Sequence, residues 1–382
     1  MMKEKTAVFG GSFHPIHNGH IELAKHAADA LALDRVLFVV DRIPPHKTLA
    51  EGATDSQRVE MMRLALSDDP RFSVETLELY REGPSYTVDT LKELCKRYPD
   101  SELFFLMGSD MLLSFHTWRQ PEEIAKLATL VCIVREGQSG GEEQAAAKLK
   151  ASINANVILL DEVSPLSSTE IRNRIYEAKP ITGLVPAKEE HYIYMNGCYA
   201  PRELVPMYER LKKEISAHRM DHTAYVVQTA IELAERFGVD PKKARLAALL
   251  HDCAKGFTEE QLLPYADTNP PILPVLHAPA GAAYAKQVYG VNDPDVLNAI
   301  RLHTTGDAGM KLLDKVVYLA DMIEPSRKYD GIDEIRRAES LDQMMVLALS
   351  RTIWYINERN FEVHPATLRA LRDLEDSDGT IL

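Results

Sequence analysis

The sequence predicts a doubly wound α/β domain with a parallel sheet, followed by an all-helical domain. Up to about residue 200, short β-rich runs alternate with helical patterns, which is typical of βαβ units. Beyond that point β-rich runs nearly vanish, and helical periodicity dominates from Pro206 to Leu374. The chain has 382 residues, which is enough for two domains of ordinary size.

The strands of the predicted sheet are short apolar runs with helices between them. The candidate strands are Thr6–Phe9, Val36–Val40, Leu103–Met107, Leu130–Val134 and Val157–Leu160. The candidate helices include Gly19–Ala32, Gln57–Leu66 and Val88–Arg97, and residues 136–150 are expected to form a polar loop and a surface helix. Parallel sheets of this kind bind ligands at the carboxyl ends of their strands, so we expect functional residues in the loops that follow.

The boundary between the two domains is predicted from turn residues in the stretch 196–201. We expect a first domain over residues 1–198, a linker over 199–202 and a second domain over 203–382.

Composition and charge argue against several classes of function. Lys and Arg number 44 and Asp and Glu 57, a net charge of −13, which disfavours nucleic-acid and anionic-membrane partners. The four cysteines are widely spaced and form no CxxC pair, which favours a reducing compartment. Apolar runs are far shorter than the roughly 20 residues of a membrane helix, and the N-terminus lacks a signal-peptide pattern. We therefore expect a cytoplasmic protein, and a homo-oligomer is compatible with the sequence.

The first predicted strand ends at Phe9 and leads into a glycine turn followed by two histidines. Gly10 and Gly11 allow the backbone to turn tightly and to approach a ligand closely. The next helix begins just beyond and directs its positive N-terminus at the turn, where His17 and His20 lie three residues apart. Backbone N–H groups, the helix end and imidazoles together suit a nucleotide triphosphate.

The HxGH sequence at residues 17–20 resembles a signature of the nucleotidyltransferase superfamily, which has a Rossmann-like fold. The second signature of that superfamily, SSTxIR, occurs at residues 167–172. Its hydroxyls, helix N-terminal amides and guanidinium group would form a second phosphate-binding surface.

Further segments resemble bacterial nicotinate-nucleotide adenylyltransferase, over about residues 5–199. They are PPHK at 44–47, SYTVDTL at 85–91 and FLMGSD at 105–110, followed by Trp118. The resemblance implies transfer of AMP from ATP to nicotinate mononucleotide, with Mg²⁺ entering with ATP. Another acceptor, such as phosphopantetheine, is the alternative.

The resemblance also implies roles for individual residues. His17 and His20 would hold the ATP phosphates, with His20 nearest the transition state. The other residues matched to ATP or its phosphates are Gly10, Gly11, Ser12, Lys47, Ser168, Thr169 and Arg172. Those matched to the nicotinate mononucleotide pocket are Tyr86, Thr87, Gly108, Asp110 and Trp118. Core packing explains Tyr86 and Trp118 equally well, and His14 departs from the acidic residue or Asn that the family often has there.

The second half carries a His-Asp pair at the end of an apolar helical run. His251 and Asp252 follow residues 246–250 and can reach one cation from the helix end. His222 lies upstream and Asp321 downstream, each in a helical pattern. This order is identified as the HD-domain pattern of metal-dependent phosphohydrolases.

Two more histidines lie between these residues and would complete a second metal site. The expected ligands are His222, His251, Asp252, His277, His303 and Asp321. Mixed imidazole and carboxylate ligands favour two divalent ions such as Fe or Mn over a Cys-type zinc site, with Asp252 as the catalytic, bridging carboxylate. Lys255 and Arg327 could clamp phosphates, although solvent exposure is a serious alternative for Lys255.

The segments LHAP, IRLHTTG and LADMIEPSR resemble bacterial HD hydrolases that split diadenosine tetraphosphate symmetrically into two ADP. The likeness spans about residues 203–375. It implies a dinucleoside polyphosphate substrate. A non-catalytic nucleotide sensor, or hydrolysis of another nucleotide such as guanosine tetraphosphate, is the alternative.

Overall fold

The computed structural model describes residues 3–44, 50–135, 140–163, 166–265 and 273–378. The predicted phosphate ligand Lys47 lies outside these residues. The chain forms two compact units. The first comprises Met1–Asn173 and Ile181–Glu190, and the second comprises Arg174–Pro180 and His191–Leu382.

The second unit includes residues 191–198, whereas the sequence-based linker was placed after residue 198. His191 shows why these residues pack there, since its Nε2 lies 2.7 Å from Asp221 Oδ1. Its ring also stacks on Tyr225, with centroids 3.9 Å apart. The linker at 199–202 stays a prediction.

The first unit contains a six-stranded, all-parallel sheet, which confirms the predicted fold class. Its strands are β1 (Glu4–Gly11), β2 (Arg35–Val40), β3 (Phe72–Glu75), β4 (Ser101–Gly108), β5 (Thr129–Arg135) and β6 (Val157–Val163). The strand order is β3-β2-β1-β4-β5-β6. Strand β3 was not predicted, because it is a four-residue edge strand in which only Phe72 is fully buried.

Helices pack on both faces of this sheet. The helices of the first unit are α1 (Asn18–Leu31), α2 (Asp55–Leu66), α3 (Thr87–Arg97), α4 (Ser109–Ser114), α5 (Pro121–Leu127) and α6 (Glu142–Ile153). Two further helices, α7 (Ser168–Tyr176) and α8 (Ala187–Asn196), begin in the first unit and end in the second. Consecutive residues of β1 show the two-sided burial, since Val8 belongs to one apolar cluster and Ala7 and Phe9 to the other. Strands buried on both faces read as continuous apolar runs, which is why they were predictable.

The strand order reverses at β1, which pairs with both β2 and β4. Strands β1 and β4 both end in glycine, at Gly11 and Gly108. In doubly wound sheets the crevice at such a reversal is the usual ligand site. The fold therefore directs attention to the carboxyl ends of these two strands.

The second unit is helical throughout its described residues, as predicted. Its helices are α9 (Val205–Glu214), α10 (Ala217–Phe237), α11 (Pro241–Leu250), α12 (Glu259–Leu262), α13 (His277–Val288), α14 (Pro294–Leu302), α15 (Leu312–Ile323), α16 (Ile332–Arg337), α17 (Leu341–Glu358) and α18 (Pro365–Asp378). Within the part of the chain that the structure describes, no helix is long and apolar enough to cross a membrane.

Glu189, in the first turn of α8, is a fully buried carboxyl group. Among the described residues neither of its side-chain oxygens has a hydrogen-bond partner, and burial raises its pKa well above the usual value. We expect Glu189→Gln to increase the free energy of unfolding at pH 7 by about 1 kcal/mol. The gain should shrink as the pH falls to the unfolded carboxyl pKa of about 4.3, because the wild-type group is then neutral in both states.

Urea unfolding followed by Trp118 fluorescence, in a Trp354→Phe background, measures this effect in the first unit. Glu190→Gln is the matched control, because Glu190 accepts a hydrogen bond from Thr182 Oγ1 at 2.9 Å. That control should lower stability. A Glu189→Gln gain that is the same at pH 4 and pH 7 would contradict the assignment.

Candidate functional site

A cavity of about 880 Å³ lies at the carboxyl ends of β1 and β4 in the first unit. This volume is typical of a pocket for a nucleotide-sized ligand. Its lining includes all the residues predicted for this site that the structure describes. They are Gly10, Gly11, Ser12, His17, His20, Tyr86, Thr87, Gly108, Asp110, Trp118, Ser168, Thr169 and Arg172.

Two glycines explain how the backbone borders this cavity. A Cβ atom on Gly10 would meet only the Phe105 ring, at 3.9 Å, so the protein itself leaves room there. A Cβ on Gly19 would lie 3.1 Å from Leu166 Cβ and 3.2 Å from His17 Nδ1, so these neighbours would have to shift by a few tenths of an ångström. Gly10 thus keeps space for a ligand, whereas Gly19 allows α1 to pack tightly.

His17 caps the N-terminus of α1 and is almost fully buried. Its Nδ1 accepts a hydrogen bond from the His20 N–H at 3.3 Å. The His17 and His20 rings stack with centroids 3.6 Å apart. Because Nδ1 is an acceptor, a neutral His17 carries its proton on Nε2 and can donate it to a phosphate oxygen.

The SSTxIR segment contacts the turn that follows β1, about 150 residues earlier. Ser168 Oγ donates to the Pro15 carbonyl at 2.8 Å, and Arg172 Nη1 donates to the His14 carbonyl at 2.6 Å. The SSTxIR segment therefore lies beside the turn that leads into the HxGH segment. His14 itself borders the cavity and is 4% exposed, so the departure from the family pattern lies at the site.

Aromatic residues form the other side of the cavity. Trp118 packs edge-on against Phe105, with centroids 5.9 Å apart, and also borders the cavity. Core packing and ligand contact are therefore compatible for Trp118. The guanidinium of Arg119 lies 4.5 Å from the centroid of the Tyr86 ring and also lines the cavity, although Arg119 belongs to no sequence motif.

A fully buried arginine on α2, Arg58, donates hydrogen bonds to the backbone of the glycine turn. Arg58 donates to the carbonyl oxygens of Ser12 and Asp41, both at 2.7 Å, and to Asp55 Oδ1 at 2.8 Å. Ser12 Oγ in turn donates to Asp41 Oδ2 at 2.8 Å. Arg58 thereby joins the carboxyl ends of β1 and β2 directly beside the cavity.

We expect Arg58→Met to destabilise the first unit by about 3 kcal/mol, because it removes a buried charge-assisted donor from the carbonyls of Ser12 and Asp41. Arg63→Met is the matched control on the same helix. Arg63 is 64% exposed and 3.6 Å from Glu60, so its loss should cost less than about 0.5 kcal/mol. Urea unfolding followed through Trp118 measures both values, and equal effects would contradict the role of Arg58.

In the second unit, the six predicted metal ligands converge from five helices. His222 lies on α10 and Asp321 on α15. His251 and Asp252 follow α11 directly, His277 begins α13 and His303 follows α14. Asp252 Oδ1 lies 3.4 Å from His303 Nε2 and 3.5 Å from His277 Nε2, and His222 Nε2 lies 3.0 Å from Asp321 Oδ1.

The Nδ1 atoms of three of these histidines are held by acceptors. His251 Nδ1 lies 2.7 Å from the Ala248 carbonyl, and His303 Nδ1 lies 2.7 Å from that of Ile300. His222 Nδ1 lies 3.2 Å from Glu324 Oε1, a buried carboxylate that the sequence analysis did not single out. Such contacts place the proton on Nδ1 and leave Nε2 as the ligand atom.

Burial keeps two of the imidazoles neutral. It lowers the pKa of His251 to about 4 and that of His277 to about 3, and for His277 the neighbouring His303 lowers it further. At His222 burial also acts to lower the pKa, but hydrogen bonds to Asp321 and Glu324 raise it to about 9. Neutral, buried imidazoles are the form that binds metal.

The nitrogen and oxygen atoms of these histidines and aspartates lie close enough together to hold metal ions. His222, His251 and Asp321 form one set, and His251, Asp252 and His303 form another, with the donor atoms of each set within 4.8 Å of one another. Among the described residues, His251 Nε2 and Asp252 Oδ1 are buried without a hydrogen-bond partner. Buried nitrogen and oxygen atoms without a hydrogen-bond partner are energetically costly unless a ligand such as a metal ion satisfies them.

Three cationic side chains surround the donors. Arg219 Nη1 lies 3.3 Å from Asp252 Oδ2, and Arg327 Nη2 lies 2.8 Å from Asp321 Oδ1. Lys255 Nζ lies 2.8 Å from His277 Nε2, so it is part of this cluster and not a solvated surface lysine. Arg219 was missed in the sequence, where it stands three residues before His222 without a motif of its own.

Comparison with known proteins identifies the family. Residues 8–174 match the cytidylyltransferase-like family and residues 219–326 the HD domain family. A protein of Mycoplasma genitalium described as a probable nicotinate-nucleotide adenylyltransferase/Ap4A hydrolase is 30% identical over 361 residues, which cover 91% of this chain and 95% of the relative. The chain therefore belongs to the same family as this Mycoplasma protein, with a cytidylyltransferase-like domain followed by an HD domain. The family prediction made from the motifs is thereby confirmed.

Other relatives match one part of the chain. A probable nicotinate-nucleotide adenylyltransferase of Thermus thermophilus is 44% identical over 195 residues, 51% of this chain and 99% of the relative. A solved structure of a predicted HD superfamily hydrolase from Clostridium acetobutylicum is 35% identical, with a TM-score of 0.41, and covers 44% of this chain and 95% of that one.

Proposed function

We propose that the chain is a bifunctional enzyme. The first unit transfers AMP from ATP to nicotinate mononucleotide, and the second hydrolyses diadenosine tetraphosphate or a related nucleotide with two divalent metals. The observation that carries the first assignment is the cavity in which both phosphate-binding signatures meet at the strand-order reversal. The full-length match to the Mycoplasma relative supports the combination of activities.

In the first reaction, a phosphate oxygen of nicotinate mononucleotide attacks the α-phosphorus of ATP. A new P–O bond forms, the bond from the α-phosphorus to the bridging oxygen breaks, and Mg²⁺-pyrophosphate leaves with that electron pair. No covalent enzyme intermediate is needed, so catalysis consists of positioning and charge stabilisation. His17 and His20 donate to phosphate oxygens, and Arg172 and the first turn of α7 bind the leaving group.

A substrate panel tests this assignment. Purified protein with Mg-ATP is given nicotinate mononucleotide, nicotinamide mononucleotide or phosphopantetheine, and pyrophosphate release is measured. We expect nicotinate mononucleotide to react fastest. If phosphopantetheine alone reacted, the acceptor assignment would be wrong although the transferase fold would stand.

In the second unit, His222, His251, Asp252, His277, His303 and Asp321 would hold the two metals. When bound, Fe or Mn ions would act as Lewis acids toward a phosphate group. The nitrogen and oxygen donor set favours these metals over a thiolate site, and none of the six donors is a cysteine.

The remaining residues of this centre bind and orient the substrate. Arg219, Lys255 and Arg327 each contact a predicted metal ligand, so their positive charges border the place where a phosphate would lie. Guanidinium and ammonium groups at this spacing suit an oligophosphate chain. Glu324 holds the ring of His222 in orientation.

The test uses full-length protein loaded with Fe²⁺ or Mn²⁺ without oxygen, with diadenosine tetraphosphate as substrate and products separated by chromatography. ADP alone indicates symmetrical hydrolysis. ATP plus AMP would contradict the symmetrical reaction. Turnover of guanosine tetraphosphate alone would reassign the substrate, and binding without turnover would favour a sensor.

A further inference from the structure

A second, smaller cavity of about 220 Å³ lies in the second unit. It is formed by the start of α13, the segment after α14 and the start of α18. Leu276, Leu302 and Ala366 provide apolar walls, and Thr305 and His364 provide polar groups. No role described above uses this cavity.

The cavity shares its walls with the metal-ligand segments. Leu276 immediately precedes His277, and Leu302 immediately precedes His303. Consecutive Cα atoms are about 3.8 Å apart, so these walls lie one residue from two predicted metal ligands. Two walls of the cavity are thus chain neighbours of predicted metal ligands, which places the cavity beside the segments that carry those ligands.

The polar side chains that line the cavity, Thr305 and His364, suit an uncharged aromatic ring that carries hydrogen-bonding groups at its edges. His364 Nδ1 accepts a hydrogen bond from the Ala366 N–H at 3.1 Å, which leaves the proton of a neutral imidazole on Nε2. Burial lowers the pKa of His364, so this neutral donor form is favoured at pH 7. Thr305 also lines the cavity, and its hydroxyl can donate or accept.

The charged residues of the cavity argue against a phosphate site. Arg369 is neutralised by Asp307 through a two-bonded ion pair at 2.8 and 3.0 Å. Arg301 already donates to Asn298 Oδ1 at 2.7 Å. The cations expected to meet phosphates are instead Arg219, Lys255 and Arg327, which contact Asp252, His277 and Asp321 at the predicted metal centre.

We propose that this cavity holds a purine base of the nucleotide whose phosphates lie at the metal centre. The volume is below the range of about 300–1,000 Å³ typical of whole ligands, so it suits one ring system and not a complete dinucleoside. The inference rests on the proposed phosphohydrolase function, because it assigns the base-binding part of the same site.

Photolabelling of the full-length Mn²⁺-loaded protein with 8-azido-ADP, mapped by peptide mass spectrometry, tests this inference without requiring turnover. We expect labelled peptides from residues 273–279, 301–307 or 364–369, in addition to labelling of the first unit. Labelling of the second unit only at other segments, or its absence, would overturn the inference.

Two variants and one control sharpen the result. His364→Ala removes the donor, and Ala366→Phe fills the cavity; each should reduce second-unit labelling about tenfold and leave first-unit labelling unchanged. His218→Ala, an exposed histidine of the same unit, should change neither. Metal content is measured for each variant, so that loss of the base site is distinguished from loss of the metal centre.

Turnover separates this inference from the proposed function. If the label maps to the cavity but no nucleotide is hydrolysed, the base site stands and the hydrolase assignment fails. If nucleotide and bis(p-nitrophenyl) phosphate hydrolysis are reduced equally by His364→Ala, the base-binding role is wrong although the hydrolase is real.

Discussion

Replacing Asp252 with alanine should abolish nucleotide hydrolysis and leave dinucleotide synthesis intact. Asp252 lies at the centre of the donor cluster, with its oxygens within 3.8 Å of His251, His277 and His303 Nε2 atoms. Without it, the donor set of His251, Asp252 and His303 would lose its carboxylate. We expect a loss of at least about 10³-fold in hydrolysis, comparable to removal of a principal electrostatic group.

The measurement combines ADP formation, bound metal by mass spectrometry and pyrophosphate release by the first unit. Asp342→Ala is the matched control, since Asp342 pairs with Lys315 on the surface of the same unit. It should leave all three readouts unchanged. An Asp252→Ala protein that retained both metal equivalents and full hydrolysis would remove Asp252 from the centre.

His20→Ala should have the converse effect, with dinucleotide synthesis reduced about 10²–10³-fold and hydrolysis unchanged. His20 lines the cavity beside His17, one turn into the helix that directs its N-terminus at the glycine turn. The loss should lie mainly in kcat, because the imidazole acts on charge that develops at the phosphates during transfer.

Initial rates over a range of ATP concentrations separate kcat from KM. His116→Ala is the control, an exposed histidine in the same unit. A His20→Ala enzyme with wild-type kcat and a raised KM would assign His20 to ground-state binding. If either this variant or Asp252→Ala removed both activities from folded protein, the two sites would not be independent.

The fold was predictable where burial imposes a strong local pattern. Strands buried on both faces are apolar runs, and the observed bounds differ from the predicted ones by three residues or fewer. Strand β3 lacks that pattern because it lies at the sheet edge, where only Phe72 is fully buried. The helical nature of the second half followed from periodicity in the same way.

The sites were predictable where a motif is contiguous. His17, His20 and the SSTxIR segment have fixed local spacing, and the structure places them around one cavity. Arg58 and Arg119 have no such signal, because their partners come from other elements. One sequence feature would have indicated Arg58: it occupies a position on the face of α2 that also carries the buried apolar residues.

Glu324 and Arg219 were missed for a related reason. Each contacts a predicted ligand residue that is distant in sequence: Glu324 contacts His222, and Arg219 contacts Asp252. Charged residues near a motif are common, so only their three-dimensional partners distinguish them from surface charges.

The positions of the predicted metal ligands of the second unit also have a topological consequence. His222 and Asp321 are separated by about 100 residues, and one cation would tie both ends of that loop together. A cross-link across such a loop reduces the conformational entropy of the unfolded chain, as a disulfide does. Bound metals would therefore raise the free energy of unfolding of the whole helical unit. Chelation should then loosen α10 and α15 together, and the unit should resist proteolysis only while its metals are held.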